Sequence, residues 1–318
     1  MSTLLCFGLG YCARHYGAAY GTRFHRMIAT VRGAAPPGLP GGAPLDLCPF
    51  DGRRASAALA AAIHAADAIL VSVPPTEDGD PVLAACADAL TRAPGQKAFV
   101  YLSSVGVYGD HGGAVVDETT TPRPTSARSR ARLQAETAWR RLGQEAGWPV
   151  AVLRLAGIYG PGRNALVQIA GGGARAILKA GQVFNRIHVA DIAQSIDAAL
   201  NRRAHDVFNV ADDEPAPPQD VLDYAAALLR QPPPPRVAWA DAAPTLTPLA
   251  QSFYAENRRV ANARLKATLA VRLQFPTYRE GLRALLADGE PAGVTGGTTA
   301  NASTAAINRS ISSDRDSR

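Results

Sequence analysis

The chain has 318 residues, 47% of them hydrophobic and 19% charged, with a formal net charge of +6. That length holds one large α/β domain, or a nucleotide-binding domain with a smaller lobe. The absence of any apolar run of about 18 residues excludes a helical membrane span, scattered basic residues without interleaved aromatics argue against nucleic acid, and six histidines without HxH or HxxxH spacing argue against a metal site. Cys6, Cys12, Cys48 and Cys86 lack CxxC spacing and read as small buried hydrophobes in a reducing, cytoplasmic setting.

The first apolar run, Thr3–Phe7, ends in Gly8-Leu9-Gly10-Tyr11-Cys12-Ala13, and an Ala-rich segment over roughly 11–22 is suited to a helix. A glycine fingerprint between a strand and a helix is the context of a dinucleotide site. Gly8 makes the tight turn, Gly10 admits a pyrophosphate to the backbone, and Ala13 lets helix and strand pack closely. The anion then lies at a helix N-terminus, where free N–H groups and the dipole favour it.

A second run, Met27–Val31, ends at Arg32. An acidic residue here bonds the ribose 2′-OH of NAD, whereas arginine suits the 2′-phosphate of NADP; NADP is therefore expected over NAD. Residues 33–44 are Gly- and Pro-rich loop. A third strand is expected near 44–50, followed by Asp51, which either meets the adenine edge or caps the helix over 55–65. Residues 68–73 form a continuous apolar strand, as when both sheet faces are covered. Asp80-Pro81 opens the next helix, and 97–102 is the fifth strand. Strands alternating with helices at this spacing predict an α/β doubly wound parallel sheet of Rossmann type, with ligands beyond the carboxyl ends of the strands.

At the end of the fifth strand stands Ser103-Ser104-Val105-Gly106-Val107-Tyr108-Gly109. It resembles the Ser-Ser-x-x-Val-Tyr-Gly motif of the extended short-chain dehydrogenase/reductases, the NAD(P)-dependent epimerase/dehydratase family. Arg154–Arg163, Asn185–Ala193 and Phe208–Asp212 resemble that family's later motifs, in the same order. The resemblance implies cofactor contacts from Gly8, Leu9, Gly10, Tyr11, Cys12, Arg32, Asp51, Val73, Pro74, Leu102, Ser103, Arg132, Leu155, Ala156 and Gly157. It implies a cofactor domain over 1–165 and a region over 166–287 that completes the sheet and forms a small C-terminal α/β substrate lobe. A homodimer through helices 126–146 and 80–92 goes with the family. Residues 288–318 lack apolar periodicity and are expected to be a disordered tail.

The chain departs from the family at its acid/base pair. Anchored on Glu136, Arg128 falls where the family has its tyrosine and Arg132 where it has its lysine. Arg132 can replace lysine as a fixed cation at the cofactor ribose. Arg128 cannot replace tyrosine, because a guanidinium stays protonated at any working pH. Ser104 matches the serine that polarises the reacting oxygen; satisfying its own loop is the alternative. Tyr108 is a candidate surrogate acid, although the resemblance gives that tyrosine a structural or pocket-lining place; behind it stand Asp110 and His111, in a Gly-flanked loop that suits solvated side chains, and His188, whose motif otherwise supports the substrate lobe. Arg128, Arg163 and Arg186 either bind an anionic group of a small-molecule substrate jointly or form a partly solvated basic rim. Two functions remain: an NADP-dependent oxidoreductase or epimerase/dehydratase-like enzyme on a small carbonyl or alcohol compound, and a non-catalytic NADP(H)-binding regulator that reports redox state.

The segments after 166 continue the αβ rhythm. Helices are expected over 166–180, 190–202 and 217–230 and strands over 182–187 and 206–210, with Gln231–Pro235 as a stiff turn and two short helices around Pro276.

Overall fold

A computed structural model of the protein describes residues 2–33 and 44–291. Seven parallel strands form one sheet: β1 (Thr3–Phe7), β2 (Arg26–Val31), β3 (Leu45–Pro49), β4 (Ala68–Val71), β5 (Ala98–Ser104), β6 (Val150–Leu155) and β7 (Val207–Val210). Their order across the sheet is β7-β6-β5-β4-β1-β2-β3. The chain starts in mid-sheet and reverses direction beside β1, so a cleft opens at the carboxyl ends of β1 and β4.

Side-chain alternation along the strands builds two apolar layers. Leu4 and Cys6 of β1 join Val100 and Leu102 of β5 on one face, under α1 (Tyr11–Tyr20). Leu5 and Phe7 join Phe99 and Tyr101 on the other, under α2 (Ala57–Ala65), α3 (Pro81–Thr91) and α4 (Ala127–Ala146). Trp139 of α4 is fully buried against Phe99, with ring centroids 4.7 Å apart. Its indole N–H donates to Asp80 at 2.9 Å, and the same carboxylate accepts the Val82 and Leu83 N–H groups at the start of α3. The expected Asp80–Pro81 cap thus also ties two helices together.

The lobe departs from the expected rhythm in several places. The helix expected over 166–180 stops at α5 (Ala165–Ala170), because Gly171-Gly172-Gly173 follows; three glycines make helix continuation entropically costly. Strand Ala176–Leu178 comes next and pairs with Arg236–Ala238, directly after the proline turn. After strand Arg186–His188, which pairs with Gly157–Tyr159, come α6 (Val189–Asn201) and α7 (Pro218–Leu228); Ile192 and Ile196 of α6 join α1 on its face of the sheet. A helix over Pro248–Tyr254 was not expected, whereas Ala263–Leu269 and Tyr278–Ala287 flank Pro276 as anticipated. The tail expectation splits: residues 292–318 lie outside the described residues, but Glu290 is hydrogen-bonded to the loop after β6.

Candidate active site

The glycine turn is built as its residues dictate. Gly8 has φ +89, and a Cβ there would stand 2.9 Å from the Ser72 hydroxyl and 3.0 Å from Val73. Its N–H donates to Thr30 Oγ1 at 2.8 Å, and Ser72 donates to the Gly8 carbonyl at 3.0 Å, locking the turn to β2 and β4. Gly10 precedes α1 with φ −82, and a Cβ there would meet nothing within 4 Å. The helix start has no side-chain cap, and Ala13 is fully buried beneath it. An uncapped helix N-terminus facing open space fits a pyrophosphate. Leu9 packs on the core beside it. The Cys12 thiol is raised to about 12 by burial, which leaves it inert.

At the adenosine end, Arg32 is exposed immediately after β2. Asp51 is exposed too, and its carboxylate accepts the Arg53 N–H at 2.9 Å. It does not cap α2. Ser56 does, accepting the Leu59 N–H at 3.1 Å, because a cap must directly precede the first turn. Val73 and Pro74 follow β4 at the cleft mouth.

At the other end, Leu102, Ser103 and Ser104 finish β5 in register with Leu153, Arg154 and Leu155 of β6. Ala156 and Gly157 continue from there, their N–H groups donating to the Val210 and Asn185 carbonyls at 3.0 Å. Ser104 Oγ accepts the Gly106 N–H at 3.1 Å, satisfying the short turn Val105–Tyr108. Across from it, Arg132 of α4 donates to the Leu102 carbonyl at 2.8 Å and to the Tyr101 hydroxyl at 3.1 Å. Arg128, one turn earlier on α4, lies over the Phe253 ring at 5.5 Å.

Tyr108 turns inward. It is fully buried, its hydroxyl donates to Asn209 at 2.8 Å, and burial raises its pKa. Of the two places open to it, this geometry is that of the structural tyrosine: a sealed, engaged phenol is not poised as a surrogate acid. Asp110 and His111 are likewise structural. Asp110 accepts the Asn257 and Gly112 N–H groups, and the His111 ring bonds the Tyr108 carbonyl. His188 accepts the Ala190 N–H on Nδ1 at 3.2 Å, and burial, with a smaller effect from His15, lowers its pKa to about 4. Nor do the three arginines form one cluster. Arg163 lies over Tyr11, Arg128 over Phe253, and Arg186 donates to the Phe184 and Ala216 carbonyls.

Sequence reasoning missed the buried support beneath the serines. Ser103 Oγ donates to Glu136 of α4, and Glu136 is paired with Arg154 of β6 at 2.7 Å. An arginine, Arg154, inside the otherwise apolar run Val150–Leu155 was the available signal, since a buried charge demands a partner.

Comparison with known proteins agrees with this architecture. The model of the NAD-dependent epimerase/dehydratase family matches residues 79–211. A solved protein of Silicibacter pomeroyi, functionally unknown, is 45% identical, with 91% of this chain and 99% of that one covered and a TM-score of 0.82. A Methylobacillus flagellatus protein assigned as an NAD-dependent epimerase/dehydratase is 25% identical, with 90% and 98% covered and a TM-score of 0.68. An uncharacterized protein of Sinorhizobium fredii is 30% identical over 131 residues, 37% of this chain. The chain spans only 31% of that curated relative's length. With the glycine turn, the parallel sheet and the ordered motifs in place, residues 79–211 match the NAD-dependent epimerase/dehydratase family, and the fold of the chain is that of the solved proteins similar to it.

Proposed function

We propose that the chain is an oxidoreductase of the epimerase/dehydratase type that prefers NADP to NAD and acts on a small carbonyl or alcohol compound. The observation that carries this reading is Ser104. It stands at the carboxyl end of β5, and its Oγ accepts from Gly106 while its own proton has no partner among the described residues. That proton is free to donate to a substrate oxygen, which is what an oxyanion-stabilising hydroxyl must do.

A dinucleotide held at the Gly8–Ala13 turn would bring hydride chemistry to the cleft beside Ser104. Arg132, fixed by Tyr101 and Leu102, keeps a positive charge in the place of the family's lysine. Arg128 and Arg132 lie four residues apart on α4, hence on one face, and together favour a substrate bearing negative charge or oxygen that gains it. A guanidinium is a fixed charge rather than a general acid or base. In the reductive direction Ser104 would donate to the substrate oxygen as negative charge gathers on it, and water would supply the proton that makes it a hydroxyl and leave as hydroxide.

Ser104→Ala tests this reading. Turnover with NADPH is expected to fall about a hundredfold, as when one oxyanion donor is lost, while NADPH affinity stays nearly unchanged. Unchanged turnover removes Ser104 from the mechanism. The sealed Tyr108 hydroxyl favours a second reading, a non-catalytic NADP(H)-binding regulator. Tight NADPH binding by the wild type without turnover across a panel of aldehydes, ketones and alcohols selects it.

A further inference from the structure

The loop Gly160–Asn164, between β6 and α5, is braced from several directions. Gly160 and Arg163 exchange two backbone hydrogen bonds, each 3.0 Å. Asn164 Nδ2 donates to the Gly160 carbonyl and to one Glu290 oxygen, both at 2.9 Å, and the other Glu290 oxygen accepts the Gly162 N–H at 2.8 Å. Tyr11, the first residue of α1, donates its hydroxyl to the Pro161 carbonyl at 3.0 Å. A Cβ at position 160 would stand 2.6 Å from Val189 and 2.7 Å from the Tyr11 hydroxyl, so only glycine permits this approach.

What the loop holds in place is Arg163. Its guanidinium carbon lies 5.8 Å from the Tyr11 ring centroid, and its Nε is sealed from solvent without a hydrogen-bond partner among the described residues. A buried donor with no acceptor is costly unless a ligand or water supplies one. Tyr11 and Cys12 form the first turn of the uncapped helix α1. Burial raises both side chains' pKa values, and the Arg163 charge is the leading influence that opposes it. A guanidinium with no ion pair among the described residues, and with a sealed, unpartnered Nε, thus stands against the first residue of an uncapped helix, two features that attract the same kind of ligand.

We infer that Arg163 clamps the cofactor's pyrophosphate, reaching from the loop after β6 toward the anion cradled by the Gly8–Ala13 turn, and that Glu290 is a positioning residue for that loop. The inference rests on the dinucleotide reading of the glycine turn. Pyrophosphate is common to NAD and NADP, so Arg163 acts on both alike.

The test is binding of NADPH and of NADH, without substrate, to the wild type and to Arg163→Ala, Arg163→Gln and Glu290→Gln, by fluorescence titration with melting curves alongside. Arg163→Ala and Arg163→Gln are each expected to weaken both dinucleotides by about tenfold or more, the loss typical of a charge-assisted contact. Glu290→Gln gives a smaller loss, again equal for the two. Wild type that binds neither dinucleotide overturns the cofactor reading itself. Wild type that binds, with unchanged affinity in a folded Arg163→Gln, overturns the clamp alone. A raised substrate KM with unchanged dinucleotide affinity also overturns it, by giving Arg163 to a substrate anion.

Discussion

The guanidinium of Arg154 grips the Glu136 carboxylate through contacts of 2.7 Å at Nη2 and 3.1 and 3.2 Å at Nε, with both side chains almost wholly buried. The pair joins α4 to β6, the two elements on either side of the serines. Ser103 donates to the same carboxylate, and Ser103 adjoins Ser104. Glu136 lies one turn beyond Arg132 on α4. On its far side Arg154 covers the Tyr108 ring at 4.8 Å, and Tyr108 donates to Asn209 on β7. A continuous polar chain from α4 through β5 and β6 to β7 therefore fixes where Ser104 stands relative to Arg128 and Arg132.

Removing one member should be expensive. Glu136→Ala leaves Arg154 buried and uncompensated, which costs about 3–5 kcal/mol in comparable cases. Glu136→Gln, which keeps an acceptor for Ser103 and Arg154, should cost less. Urea unfolding followed by far-UV circular dichroism measures both. A loss under about 1 kcal/mol for Glu136→Ala would mean that the pair adds no stability beyond its surroundings.

Arg32 separates the two cofactors. If it reads the 2′-phosphate, Arg32→Ala should weaken NADPH by about tenfold or more and leave NADH nearly unchanged, since NADH lacks that group. Equal losses for both would remove the assignment and leave Arg32 an ordinary surface residue.

His188 gives the fold an acid-sensitive point. Its folded pKa, about 4, lies below the ordinary value of 6.5, chiefly through burial. The unfolded chain therefore takes up the proton first. The stability tied to this group is present above about pH 6.5 and is lost as pH falls toward 4, by up to about 3 kcal/mol. Its ring packs between Tyr159 and Phe275, and its Nδ1 caps α6. His188→Asn keeps an N-capping acceptor but does not titrate. Its stability should fall less steeply than the wild type's between pH 6.5 and 4, and parallel curves would refute the account.

Most of the sheet was legible because its signals are local. The glycine turn, the apolar runs and the Asp80-Pro81 cap depend on neighbours in sequence, and their strands and helix starts lie within a few residues of expectation. The lobe was less legible. The run 166–180 has helical composition, but Gly171-Gly172-Gly173 breaks it, and the strand that follows needs Arg236–Ala238, some 60 residues away, as a partner. At the site, Arg128 and Arg132 could be placed by counting from Glu136, whereas the role of Tyr108 depends on Asn209, 101 residues later. Sequence alone does not say which way a phenol points. Nor does composition reveal that Glu290, at the edge of a polar tail, docks on Gly162 and Asn164.

The two glycines of the turn should fail in different ways. Gly8 has positive φ, and a Cβ would press on Ser72 and Val73. Gly8→Ala therefore costs fold stability by a few kcal/mol, through backbone strain and overpacking together. Gly10 has φ −82, which any residue adopts, and a Cβ there meets only open space. Gly10→Ala should melt close to the wild type while its methyl fills the space where a pyrophosphate approaches the helix start. Dinucleotide affinity should drop about tenfold or more, since an anion pushed away loses backbone hydrogen bonds made to its charge. Thermal melting of the free protein and NADPH titration separate the two effects. A Gly10→Ala protein that binds NADPH as tightly as the wild type would place the cofactor's phosphates elsewhere than over this turn.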